Sequence, residues 1–285
     1  MGKSQFLISK IFTVPYIDSL ADEKQVPDSF LKCISRYVEE KDRLTYGKAI
    51  SSIYEYMKDQ YRNEYYYKNT IFNQLLIQKH DLYTTAALTE LPISNSKADF
   101  VMINGRGVVY EIKTDLDNFQ RLQNQIQDYY KVFSYVNVVV SGRQVDRAKD
   151  FLKDTKVGIF ELANSGKLIC RKKAYCNRNE LSYETMFQML RKNEFEKILM
   201  DYFNKLPEVN SFEYYRECLK WMEKINIIGL QKKVMSSLKK RTILSIEDSF
   251  EKKVPGELSF YVYFSKKYRS NYDELEDFLS KRLEV

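Results

Sequence analysis

A single histidine, His80, stands in 285 residues. That scarcity excludes most Ser-His and Cys-His catalysis, because His80 precedes Asp81 in an expected helix-end loop with no nucleophile near it in sequence. The four cysteines, Cys33, Cys170, Cys176 and Cys218, form no C-x-x-C pair, so a structural zinc site is not expected and the thiols read as reduced. No apolar run approaches the roughly 18 residues of a membrane span. The opening Met-Gly-Lys-Ser-Gln-Phe has neither a signal-peptide apolar core nor the Ser or Thr at position 6 of a myristoylation signal. The expectation is a cytoplasmic protein with no membrane partner, and a hydrophobic fraction of 44% with 30% charged residues suits a globular chain.

Positive charge and tyrosine are abundant instead. The net charge is +7, and 23 tyrosines accompany 46 lysines and arginines. Cations interleaved with aromatics can hold phosphates and stack bases, so nucleic acid is the expected partner.

Chemistry concentrates in Ser96 to Lys113, S-K-A-D-F-V-M-I-N-G-R-G-V-V-Y-E-I-K. Asn104-Gly105 signals a hairpin. A two-residue loop would place Asp99 and Glu111 on opposite faces; a three-residue loop ending at Arg106 pairs them directly. The second register is expected, because it also sets Phe100 against Tyr110, Met102 against Val108 and Ala98 against Ile112, leaving Lys97, Asp99, Glu111 and Lys113 on the other face. Two facing carboxylates offer hard oxygen ligands to Mg²⁺, and a neighbouring lysine can orient water or offset phosphoryl charge. The plainer alternative is a cross-strand salt bridge on a solvated sheet face.

At these residues the chain resembles the PD-(D/E)xK superfamily of metal-dependent nucleases. Asp99 matches the first acid and Glu111-Ile112-Lys113 the E-x-K, with Ala98 where proline is usual. Y-E-I-K-T-D-L-D-N, followed by R-L-Q-N-Q-I-Q-D-Y-Y-K-V-F, is similar to a family of small stand-alone bacterial and phage-borne proteins with this core. The resemblance spans residues 60 to 141. It implies Mg²⁺ or Mn²⁺ held by Asp99, Glu111 and the Ile112 carbonyl, with Glu64 supplied by the preceding helix, and Lys113 placing the nucleophile. Gln125 and Tyr129, spaced Q-x-x-x-Y, match a substrate-binding pair of the exonuclease branch. The implied activity is hydrolysis of nucleic acid, DNA favoured over RNA, with phage defence or a mobile element as the setting. The alternative is a catalytically silent nuclease fold that binds nucleic acid or protein.

The periodicity gives an α/β order of helix, three-stranded meander, helix and strand, with an N-terminal preamble and a C-terminal helical appendage, and the resemblance implies that this core is restriction-endonuclease-like. The expected segments are 1–44, 45–175 and 176–285. In the first, Phe6 to Val14 reads as a short strand and Pro27-Asp28-Ser29 opens a helix. Thr45 to Lys79 reads as one helix or two broken near Asp59. There Glu64 shares a face with Lys68, Ile71 and Leu75, which also fits an i, i+4 ion pair with Lys68. A strand runs from Thr84 to Ile93 and is ended by Pro92; its Glu90 is either a further ligand or a solvated strand end. Asp117 is the expected N-cap of a helix over Asn118 to Phe133, and Tyr135 to Ser141 reads as a buried strand. A helix over Val145 to Lys153 and strands over Val157 to Leu162 and Lys167 to Lys172 complete the domain. Helices over Leu181 to Phe203, Phe212 to Ile225, Ile228 to Leu244, carrying Lys239-Lys240-Arg241, and Tyr272 to Leu283 follow. They suit a substrate clamp, a homodimer surface or a protein-partner surface.

Overall fold

The computed structural model describes residues 3–22, 26–241 and 250–283. It divides into two compact units, one of Met1–His80, Ala163–Leu168 and Ser245–Val285, the other of Asp81–Leu162 and Ile169–Leu244. This spatial division is not the sequence division at 44 and 175, because chain ends distant in sequence pack within one unit while a single linear cut cannot separate them.

The first unit is helical. Helices α1 (Lys3–Ile11) and α2 (Val14–Asp22) occupy the region expected to hold a strand. Ile8, Ile11 and Phe12 are all buried, and that i, i+3, i+4 stripe is the helical period that overrides the β-branched composition. Then come α3 (Asp28–Tyr37), α4 (Tyr46–Gln60) and α5 (Glu64–Ile71), continued by a π-helical stretch over Phe72–Ile77. The break after α4 is set by Asn63, whose side chain accepts the Tyr66 N–H at 3.0 Å and restarts the helix.

The second unit is built on a sheet whose strands run in the order β1 (Ala86–Ile93), β2 (Ser96–Asn104), β3 (Arg106–Lys113), β4 (Tyr135–Ser141), β5 (Gly158–Leu162) and β6 (Leu168–Lys172). The first three are antiparallel neighbours; β3–β4 and β4–β5 are parallel. This is a mixed α/β fold. Pro92 does not end β1 but lies inside it opposite Lys97, which proline tolerates because β1 is an edge strand. Helices α6 (Leu122–Tyr130) and α7 (Val145–Leu152) connect the parallel strands. Asp117 does not cap α6, which starts five residues later; its carboxylate instead closes the turn after β3 by accepting the Thr114 N–H at 2.8 Å.

Beyond the sheet lie α8 (Tyr183–Gln188), α9 (Lys192–Phe203), α10 (Ser211–Met222) and α11 (Ile227–Lys240). The single helix expected over 181–203 is two, since Glu194 accepts the Arg191 N–H at 2.7 Å and starts α9 afresh. The expected extension of α11 through 242–244 lies outside the described residues. The first unit resumes with α12 (Phe250–Lys253), α13 (Ser259–Phe264) and α14 (Tyr272–Ser280). Buried Asn69 joins α5 to this return: its amide donates to the Gly256 carbonyl at 2.9 Å, and its oxygen accepts the Phe260 N–H at 3.0 Å.

The sheet unit's core gathers Val101, Ile103, Val109, Val138 and Val140 beneath Leu122, Ile126 and Phe133, with Leu230, Val234 and Leu238 of α11 in the same cluster. Packing at β5 leaves no room at Gly158. A Cβ there would collide with the Asn137 side-chain oxygen and lie 2.7 Å from the Ala174 backbone nitrogen. Gly158→Ala is expected to cost about 1–3 kcal/mol, read as a lower urea midpoint at unchanged slope.

Candidate functional site

The hairpin has the register that brings the acids together. Phe100 lies opposite Tyr110, Met102 opposite Val108 and Asn104 opposite Arg106, with Gly105 at the tip at φ +67°. Glycine takes that left-handed turn without steric cost. One residue beyond the Phe100–Tyr110 pair, Asp99 and Glu111 take facing positions, and Asp99 Oδ2 accepts the Ile112 N–H at 2.7 Å.

The face that carries them is not the solvated one of a surface salt bridge. Two-residue alternation puts Val101, Ile103 and Val109 on the same face, and all three are core residues beneath the helices. Glu111 is 1% exposed and Lys113 8%. A carboxylate and an ammonium at such depth require close partners, and α6 supplies them. Lys113 Nζ lies 2.7 Å from Glu111 Oε1 and donates to Gln125 Oε1 at 2.9 Å; the Gln125 amide donates to Glu111 Oε1 at 2.6 Å. The Tyr129 hydroxyl is 2.6 Å from Glu111 Oε2 and 3.0 Å from the Lys97 carbonyl, so its one proton favours the carboxylate. Burial, with the Glu111 charge behind it, raises the Tyr129 hydroxyl far above the usual phenol range and keeps it a donor. Gln125 and Tyr129, one helical turn apart, thus both reach Glu111.

Glu90 on β1 reaches the same region. Its carboxylate lies within 4.8 Å of that of Asp99 and 2.6 Å from Lys97 Nζ. It has φ +53° within a strand, a conformation that costs a non-glycine residue on the order of 1 kcal/mol. Nothing in its sequence surroundings signals that geometry. Glu64 belongs to the helical unit, at the first turn of α5, and holds Lys68 Nζ at 2.5 Å, the i, i+4 pair that its spacing also allowed.

Sequence spacing did not mark the groove beside the network. Lys97, Arg121, Gln125, Asp128 and Lys131 line an open space of about 710 Å³. Burial opposes the Asp128 charge, but hydrogen bonds from Lys131 at 2.7 Å and Ser96 at 2.7 Å outweigh it and hold the carboxyl below its ordinary range.

The family described as bacteriophage P4 protein cII matches residues 57–254, a stretch that contains all of these side chains. The chain belongs to that family. Within it, the protein named "Protein cII" from Enterobacteria phage P4 is 28% identical over 173 residues, 58% of this chain and 63% of that protein. The chain therefore spans less than two thirds of that cII protein's length. No solved structure matches. Among the described residues no helix is long and apolar enough to cross a membrane.

Proposed function

We propose that this cII-family chain is a metal-dependent nuclease hydrolysing phosphodiester bonds, with DNA favoured over RNA, on a restriction-endonuclease-like core. One observation carries the reading: two acids take facing positions on neighbouring strands, and a buried lysine stands 2.7 Å from the second. A fold stabilised by ordinary packing has no need of so many desolvated charges in one place.

The donor set fits Mg²⁺ or Mn²⁺, since the available ligands are hard carboxylate oxygens and the half-buried Asp99 keeps the pair open on one side. Asp99 and Glu111, with the Ile112 carbonyl, would hold the ion. Glu64, the further ligand that the resemblance implies, lies in the helical unit, where it also holds Lys68. A bound divalent ion would supply polarisation of the phosphodiester and a more acidic water. Lys113 sits where it can orient that water or offset charge on the phosphoryl oxygens. Gln125 fixes both Glu111 and Lys113, and the fully buried Tyr129 fixes the other Glu111 oxygen, so both position the site. The polar groove at Lys97, Arg121 and Lys131 offers cations for the strand's phosphates.

The second reading is a silent nuclease fold that binds without turnover. It is favoured by the hydrogen bonds that already engage both Glu111 oxygens. Incubating wild-type and Asp99→Asn protein with linear DNA, circular DNA and RNA, in Mg²⁺ and in Mn²⁺, separates the two. The nuclease predicts metal-dependent cleavage by the wild type alone. No cleavage of any substrate, together with no Mn²⁺ binding by calorimetry, leaves the binding module. A role in phage defence, and a homodimer or protein partner engaged through the C-terminal helices, are parts of the same proposal.

A further inference from the structure

The other end of β3 carries a second constellation. Around the hairpin tip a cavity of about 70 Å³ is lined by Arg106, Arg178 and Lys232 together with Ser134, Gln231 and Met235, and among the described residues no aspartate or glutamate lines it. That volume is about two waters' worth, which suits one tetrahedral oxyanion. Counting about 3.3 Å per strand residue from Gly107 to Glu111, the cavity lies roughly 13 Å along β3 from the acids, so it is separate from the candidate site.

Three independent features bring the cations together. Gly107 admits α11 against the strand, since a Cβ there would lie 2.5 Å from both Met235 Sδ and Phe133 Cδ1. Buried Gln231 then fixes the helix, donating to the Val132 carbonyl at 2.7 Å and to Ser134 Oγ at 3.0 Å. Ile228, Lys232 and Met235 follow on the same helical stripe and face the tip. On the other side the Asn177 N–H donates to the Ser134 carbonyl at 2.9 Å, anchoring the segment that carries Arg178. The nearest acid in that segment, Glu180, is held by the Asn177 amide at 2.8 Å and lines a different groove. Arg106 is steadied by the Tyr135 ring, 4.5 Å from guanidinium carbon to ring centroid.

Like charges gathered without a carboxylate repel one another and lower the energy of an incoming anion. The pairing of planar guanidinium forks with a lysine point charge matches phosphate oxygens. We infer that the pocket of Arg106, Arg178 and Lys232 binds a phosphate group, either free or carried by a nucleic-acid strand. This inference does not rest on the nuclease reading.

The test is calorimetric titration of the full chain with inorganic phosphate at constant ionic strength. A parallel arm uses a short oligonucleotide in 5′-phosphorylated and 5′-hydroxyl forms. Saturable binding is expected in at least one arm. Arg178→Ala and Lys232→Ala, both at exposed positions, should each weaken it by on the order of tenfold. Arg178→Lys should weaken it less, and Lys153→Ala, an exposed cation elsewhere on the unit, should leave it unchanged. Phosphate binding assigns the free ion. Oligonucleotide binding that needs Arg178 and Lys232, without binding of phosphate, assigns the strand, and preference for the phosphorylated form assigns its end. The inference is overturned if neither probe binds saturably, or if binding survives in the Arg178→Ala/Lys232→Ala double variant with an unchanged unfolding midpoint. Because the readout is binding and not cleavage, its failure is distinct from failure of the nuclease reading.

Discussion

Asp99→Asn is expected to reduce metal-dependent cleavage by roughly a thousandfold while leaving the unfolding free energy within about 0.5 kcal/mol of wild type. The side-chain oxygen that accepts the Ile112 N–H at 2.7 Å has an equivalent in asparagine, so the strand contact persists. What is lost is one negative charge, next to the Glu90 carboxylate within 4.8 Å. Removing one of two close like charges relieves their mutual repulsion. Activity and stability therefore separate at this position. Gel assays with linear DNA, beside urea unfolding of the same preparations, read both; wild-type cleavage by a folded Asp99→Asn protein would end the nuclease reading.

The second large effect is on the fold itself. Glu111→Gln and Lys113→Met are each expected to destabilise by about 3–5 kcal/mol, because each leaves the partner charge buried without compensation. The double variant should cost less than the sum by about 1–3 kcal/mol, as neither charge then remains. Strictly additive losses across the four urea curves would show that the two side chains do not depend on each other. A substitution at Glu111 or Lys113 therefore acts on the fold as well as on the chemistry, and with Glu111 1% exposed, loss of cleavage in a Glu111 variant has to be read against its folded fraction.

The hairpin register was legible because two constraints agreed: an Asn-Gly turn at a fixed place, and an apolar set that only an odd-length loop keeps on one face. The strand over Tyr135 to Ser141 was legible from its β-branched run, interrupted only by Asn137, since a strand buried on both faces needs no polar alternation. The depth of Glu111 was not. A strand's parity says which residues share a face, but only the arrival of α6 decides whether that face is wet, and α6 is positioned by Leu122 and Ile126 packing on residues distant in sequence. The same reason hid the helical start of the chain, where composition favoured strand and a stripe of Ile8, Ile11 and Phe12 made helix. Glu90 was unreadable in another sense. Its left-handed backbone is held by strand pairing on either side of it, from Thr89 with Phe100 to Leu91 with Ala98, and no local sequence rule calls for it. Gln125 and Tyr129 were singled out by the resemblance as a substrate-binding pair, and their spacing could not say that both would reach Glu111.

Asp99, Glu111, Lys113, Gln125 and Tyr129 all fall within about thirty consecutive residues, joined by one tight turn and one short connection. Loop-closure entropy grows only slowly with length and is smallest for such contacts. The ion pair and its two helical partners can therefore assemble once the hairpin and α6 have met, without waiting for α8 to α11 to dock. In chain-entropy terms the candidate chemistry belongs to the most local part of a unit whose parallel strands are otherwise joined over long range.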